Sequence, residues 1–248
     1  MAQTTYSRNV FVNCPFDDKF QPLFRAIVFS ISDCGFIPRC ALEIDDGSQV
    51  RIDKIFKIIG ECKFGIHDIS RTDLDTKTRL PRFNMPLELG MFLATKKFGS
   101  GKQRKKNCLI VDTTKHRYRK FISDISDISG QDVQAHGNSQ KKVISVVRDW
   151  LRASTNHAQI PGGAEIHRQF KLFVKELPDL CRELRLKEPE MTFTDYAHLV
   201  SAWLDENTLD MPGRGPTHLL AAMPVPRESR TSHQNNREPH ANPSSAAD

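Results

Sequence analysis

Short apolar runs set between stretches of helical spacing are the feature that most narrows the folds open to this chain. Val10-Phe11-Val12 closes on Asn13-Cys14-Pro15-Phe16. Asp17 and Asp18 then suit a helix start, and Phe20, Leu23, Phe24, Ile27, Val28 and Ile31 follow at helical intervals until Gly35. A second strand over Phe36–Leu42 contains Pro38, which cannot donate to a ladder, so this strand belongs at a sheet edge. The turn Asp45-Asp46-Gly47-Ser48 leads into a helix carrying Val50, Ile52, Ile55, Phe56, Ile59 and Cys62. Phe64–Ile69 reads as the third strand, followed by a polar loop and a helix from about Phe83 to Lys97. Cys108-Leu109-Ile110-Val111 is apolar throughout, as in a strand covered on both faces. A helix within 116–126, a weak fifth strand over Asp132–Ala135 and a helix from Ser139 to Leu151 complete the pattern. Strands alternating with helices predict an α/β fold: a five-stranded, doubly wound parallel sheet in the flavodoxin-like order 2-1-3-4-5.

The rest of the chain has a different texture. After Pro161-Gly162-Gly163, two helical patterns spanning 161–207 predict a hairpin that packs on the sheet domain or on another copy of the chain. The last 38 residues, Met211–Asp248, hold 6 of the 14 prolines and little aliphatic periodicity, so 208–248 is expected to be a disordered tail. The division is therefore an α/β domain over 1–155, a helical hairpin over 161–207 and the tail.

Charge and cysteine use bound the chemistry. Lys and Arg number 36 against 30 Asp and Glu, a net +6 that favours anionic partners. No run approaches the roughly 18 apolar residues of a membrane span, and Met1–Arg8 lacks a signal-peptide core, so a cytoplasmic protein without a membrane partner is expected. The six cysteines form no C-x-x-C pair and sit mostly in apolar runs, as small buried hydrophobes do; no metal site is expected. The basic clusters Lys96-Lys97 and Lys102-Gln103-Arg104-Lys105-Lys106 have no aromatic interleaved within them, which favours a solvated loop over a nucleic-acid interface. Gly99-Ser100-Gly101-Lys102 lacks the strand and spacing of a phosphate-binding loop.

Ligands of open parallel sheets bind at the carboxyl ends of the strands, where the strand order reverses. That rule selects Asn13 and Phe16 after the first strand, and Asp68, Ser70 and Arg71 after the third. Glu43, Asp45 and Asp46 follow the second, Asp112 ends the fourth, and His136 follows the fifth. Alternation turns His67 away from Asp68, towards the core. Glu88 follows Pro86 early in a helix that is apolar on several sides, so its carboxyl is expected to be partly desolvated. The dipole at a helix start is the plainer explanation for an acid there. Asn84 lies one turn earlier on a similar face, and Gly90 would leave room for close approach.

The run His67-Asp68-Ile69-Ser70, a variable loop, then Asn84-Met85-Pro86-Leu87-Glu88-Leu89-Gly90 resembles the nucleoside 2-deoxyribosyltransferase superfamily. There, a third-strand aspartate precedes a helix bearing a glutamate in an E-L-G setting. Val10-Phe11-Val12-Asn13 with Asp17-Asp18, and Ser70 followed by Glu88-Leu89, also resemble bacterial TIR-like domains. The resemblance covers roughly residues 9–152. It implies cleavage of an N-glycosidic bond, with Glu88 as nucleophile or as the carboxylate that stabilises an oxocarbenium-like sugar. It further implies Asp68 on the base or sugar hydroxyls, Phe16 stacked on the base, Asn13 on a polar edge, and Ser70 and Asn84 beside the ligand. The chain departs from the deoxyribosyltransferase pattern at Arg82, where an acid is usual, and at Asn84–Pro86, where a Gly-Thr pair is usual. An arginine at the mouth suits a phosphate, which favours a nucleotide or an NAD-like dinucleotide as substrate, with no cofactor.

Three functions stay open on the sequence: an enzyme acting on an N-glycosidic bond, a non-catalytic nucleotide sensor using the same crevice, and a TIR-like signalling or interaction module.

Overall fold

The computed structural model describes residues 5–43, 50–71, 79–80, 83–120, 133–155 and 159–207. Its strands are β1 (Asn9–Asn13), β2 (Ile37–Arg39), β3 (Phe64–Asp68), β4 (Asn107–Asp112) and β5 (Gln134–Ala135). They form one parallel sheet in the order β2-β1-β3-β4-β5. The helices are α1 (Gln21–Asp33), α2 (Arg51–Glu61), α3 (Asn84–Phe98), α4 (Gln140–Thr155), α5 (Gly163–Glu183) and α6 (Phe193–Asn207). Fold class and strand order are those the alternation predicts, and Pro38 lies on the edge strand, in register with Val10. In the 116–126 segment, Arg117–Lys120 form a 3-10 turn, and 121–126 lie outside the described residues, as does the tail over 208–248.

The pleat divides the sheet side chains between two layers. Val10, Val12, Phe64, Ile66, Leu109 and Val111 face α1 and α4. Phe11 and Cys108 face α2 and α3, against Ile55, Ile58, Ile59 and Phe92. Gly65 lets α3 come close on that second face: a Cβ there would lie 2.8 Å from Phe92 Cε2 and from His67 Nε2. Gly35 closes α1 with φ +83°, a conformation that favours glycine, so the chain turns directly into β2.

The hairpin extends the α1/α4 layer. Phe29 of α1 packs against Phe170 and Phe173 of α5 (ring centroids 5.4 Å apart in each case) and against Trp203 of α6 (6.0 Å). Those residues belong to the same apolar cluster as Val10 and Val12 of β1, so sheet and hairpin share a core. A reciprocal cap starts α6: Asp195 N–H donates to Thr192 Oγ1 (3.2 Å) and Thr192 N–H donates to Asp195 Oδ2 (2.9 Å).

One residue of the basic run departs from the solvated-loop expectation. Lys106 is buried, its Nζ donating to the carbonyls of Ile59 (2.6 Å) and Cys62 at the end of α2 and lying 4.6 Å from the Phe92 ring centroid. A buried ammonium satisfied by helix-terminal carbonyls closes the layer beneath α2 and α3. The six cysteines are all buried and unpaired. Among the described residues no helix is long and apolar enough to cross a membrane.

Candidate functional site

β1 and β3 are neighbours at the reversal of strand order, and the crevice at their carboxyl ends is floored by Asn13. The Asn13 amide donates to the Met85 carbonyl (2.8 Å) and sits 3.1 Å from His67 Nδ1. Asn13 therefore ties the end of β1 to the first turn of α3, and its amide nitrogen is engaged within the protein. Accepting that contact puts the His67 proton on Nε2. Burial pushes the His67 imidazole down to about 3, helped by the nearby Lys106 ammonium, so the ring is neutral at physiological pH.

The α3 helix starts at Asn84, Pro86 is its third residue, and Met85, Glu88, Leu89 and Phe92 are its buried positions. Glu88 falls just past the first turn, which holds no acidic residue, so capping does not account for it. Its side chain is nine-tenths buried, and it has no hydrogen-bond partner among the described residues. Burial pushes its carboxyl up from an ordinary 4.5 to about 7, against a smaller downward pull from the Arg51 guanidinium.

Glu88 and Asn84 line a cleft of about 330 Å³, together with Asn13, Cys14, Pro15, Phe16, Asp17, Met85 and Arg51. The volume is at the lower end of the range for small-molecule sites. Phe16 is over a third exposed and meets Phe24 edge-on, centroids 5.4 Å apart. Asp17, the cleft's second acid, is held by Arg71 (3.1 Å) and by the Phe20 N–H (3.0 Å). Arg51 opens α2, where the positive end of the helix dipole adds to its own charge; it forms no salt bridge among the described residues.

The cleft thus gathers Asn13, Phe16, Asn84 and Glu88 of the residues selected by sequence, but not Asp68 or Ser70. Asp68 is fully buried and, by the period of two, faces the opposite side of the sheet from Asn13 and His67. Its Oδ1 accepts the Ser70 N–H (2.9 Å), and its Oδ2 is 3.1 Å from His136 Nε2, too far out of line for a hydrogen bond. His136 Nδ1 accepts the Asn138 N–H (3.0 Å), so the ring carries its proton on Nε2, towards Asp68. Beside this pair, Asp112 accepts from Arg117 Nε (2.8 Å), and Arg117 Nη2 donates to the Ser70 carbonyl (2.6 Å). Burial raises the Asp112 carboxyl, with Arg117 opposing. These contacts staple the ends of β3, β4 and β5.

Arg82, Asp45 and Asp46 lie outside the described residues. Glu43 is committed to a buried ion pair with Arg39 (2.5 Å). Gly90 borders open space, not a close approach. Arg51 escaped sequence reasoning because a basic residue on an amphipathic helix has the appearance of a solvated face. Its position just after the second strand's loop was the available signal. Searches against family models, curated proteins and solved structures gave no match to the chain.

Proposed function

We propose that the protein cleaves or transfers at the N-glycosidic bond of a nucleotide or nucleoside, with Glu88 as the key carboxylate. The observation that carries this reading is a nearly buried carboxyl without a hydrogen-bond partner among the described residues, facing a ligand-sized cleft that also holds an exposed aromatic ring and an arginine. The resemblance around Asp68-Ile69-Ser70 and Glu88-Leu89-Gly90 supports the same reading.

In this mechanism the base stacks on Phe16, Asn84 contacts the sugar, and the Glu88 carboxylate faces the anomeric carbon. As the C–N bond breaks, its electron pair leaves with the base, and Glu88 either bonds to or electrostatically stabilises the cationic sugar carbon. Water or a second base then attacks that carbon. Arg51 takes a substrate phosphate, the role that the resemblance suggests for Arg82, which favours a nucleotide, NAD included, over a bare nucleoside. Asp68 acts from outside the cleft by ordering the strand ends, and touches no substrate.

Purified protein incubated with NAD and a panel of nucleosides and nucleotides should release free base. Glu88→Gln should reduce that release at least a hundredfold with folding intact, as loss of an essential carboxylate does. Unchanged turnover in the variant would remove Glu88 from the mechanism. The sensor reading has one observation in its favour: the cleft's second acid, Asp17, is already engaged, whereas glycoside cleavage generally employs two carboxyl groups. No turnover, together with a saturable nucleotide-dependent rise in melting temperature, would select the sensor.

A further inference from the structure

Phe16 also borders a second hollow, of about 100 Å³, between the β1–α1 connection and the start of α6. Pro15, Phe16 and Asp17 line both spaces, so this lobe adjoins the Glu88 cleft. Its apolar side is a row of rings: Phe16 against Phe24 (5.4 Å between centroids) and Phe24 against Phe193 of α6 (6.0 Å). The hairpin, in which sequence pattern shows no chemistry, thereby supplies one wall.

Most polar groups of the lobe are spoken for. The Arg25 guanidinium is 2.5 Å from Glu188 and 5.4 Å from the Tyr196 ring centroid, and Asp17 is held by Arg71. The side chains of Asp18 and Gln21, both exposed, have no hydrogen bond to another described residue. With Asp17 paired to Arg71 and Arg25 paired to Glu188, Asp18 is the lobe's uncompensated charge among the described residues, which makes the lobe a poor phosphate site and a good one for N–H donors. At about 100 Å³ it is smaller than the cavity of about 150 Å³ that holds a benzene, so a planar ring seated there extends from its mouth towards the adjoining Glu88 cleft.

We propose that the lobe is a subsite for a planar nucleobase carrying an exocyclic amino group, lying against the lobe's row of rings on the far side of Phe16 from the departing base and read by Asp18 and Gln21. The Asp18 carboxylate accepts from the amino N–H, and the Gln21 amide pairs with an amino group and its neighbouring ring nitrogen, as glutamine does with adenine. This inference rests on the Glu88 cleft as the site for the sugar. It assigns the base in the lobe as either a free acceptor or the second base of a dinucleotide.

Calorimetric titration of the full chain with adenine, purine and NAD, with and without ribose 5-phosphate, tests it. Adenine should bind saturably beside ribose 5-phosphate, and purine, lacking the amino group, at least tenfold more weakly. Asp18→Asn combined with Gln21→Leu should weaken adenine at least tenfold while leaving ribose 5-phosphate binding within twofold, which also shows that the variant is folded. Binding of adenine alone marks an acceptor subsite. Binding only within NAD, lost in the same variant, marks the second half of a dinucleotide. Mutual exclusion of adenine and ribose 5-phosphate, equal affinity for purine, affinity insensitive to the double substitution, or no binding of adenine in either form would overturn the subsite. Absence of base release with adenine binding intact would instead overturn the reaction and leave the subsite standing.

Discussion

Glu88 is held where its charge is costly, and the cost has a sign that can be measured. Its carboxyl titrates near 7 in the folded chain and near 4.5 when exposed. The folded state thus binds the Glu88 proton more tightly, and stability falls as pH rises from about 4.5 through 7. Discounted for the open side of the cleft, the penalty above pH 7 is about 2 kcal/mol. Glu88→Gln should accordingly be more stable than the parent at pH 8 by about that amount, with the gap closing near pH 4, measured by urea unfolding at the two pH values. If the carboxylate is the reactive form, base release should rise with pH about a midpoint near 7. Arg51 lowers the Glu88 pKa, so Arg51→Ala should move that midpoint upward and also raise KM for a nucleotide more than for the corresponding nucleoside. A midpoint that stays put would mean that the arginine does not communicate with the carboxyl.

At the scale of elements, two glycines 25 positions apart in sequence make opposite demands. Gly65, in β3, has Phe92 of α3 against it, so Gly65→Ala should cost about 1–3 kcal/mol through overpacking and disturb the face that carries Glu88. Gly90, in α3, has open space where a Cβ would go, so Gly90→Ala should stabilise by about 0.5–1 kcal/mol. Chemical denaturation of the pair reads both effects. The location of α3 was recoverable from Pro86 and the apolar positions after it, to within a residue at each end. Its tight seating on β3 was not, because the partner of Gly65 is 27 residues away in sequence and only packing brings the two together.

For the molecule as a whole, the consequential fact is that the hairpin and the sheet share a core. Phe173 of α5 is completely buried, and its ring meets Phe29, Tyr196 and Trp203. Phe173→Ala should therefore cost about 3–5 kcal/mol and lower the stability of the entire chain, not of a separate helical unit. Near-ultraviolet signals from Trp150 and Trp203, one in the sheet layer and one in the hairpin, should be lost in the same transition as far-ultraviolet ellipticity. Two resolved transitions would mean that the hairpin is an independent domain.

The alternation of short apolar runs and helical spacing determined the α/β class, the parallel order and the edge position of β2, because side-chain period and the missing proline N–H are local properties. The strand-end rule likewise reached Asn13, Phe16 and, with the helix pattern, Asn84 and Glu88. What only tertiary structure decided is which of the strand-end residues face the same space. A period of two sends Asp68 to the layer of His136 while Asn13 and His67 turn towards α3, and chain folding brings Arg51 to the cleft from another helix. Whether Asn13 reaches into the crevice or ties β1 to Met85, and whether α6 walls a second lobe beside Phe16, are likewise matters of distance between remote segments. Those distances are fixed when the two faces of the sheet bury their apolar layers, since burial is non-directional and selects no partner until the whole core closes.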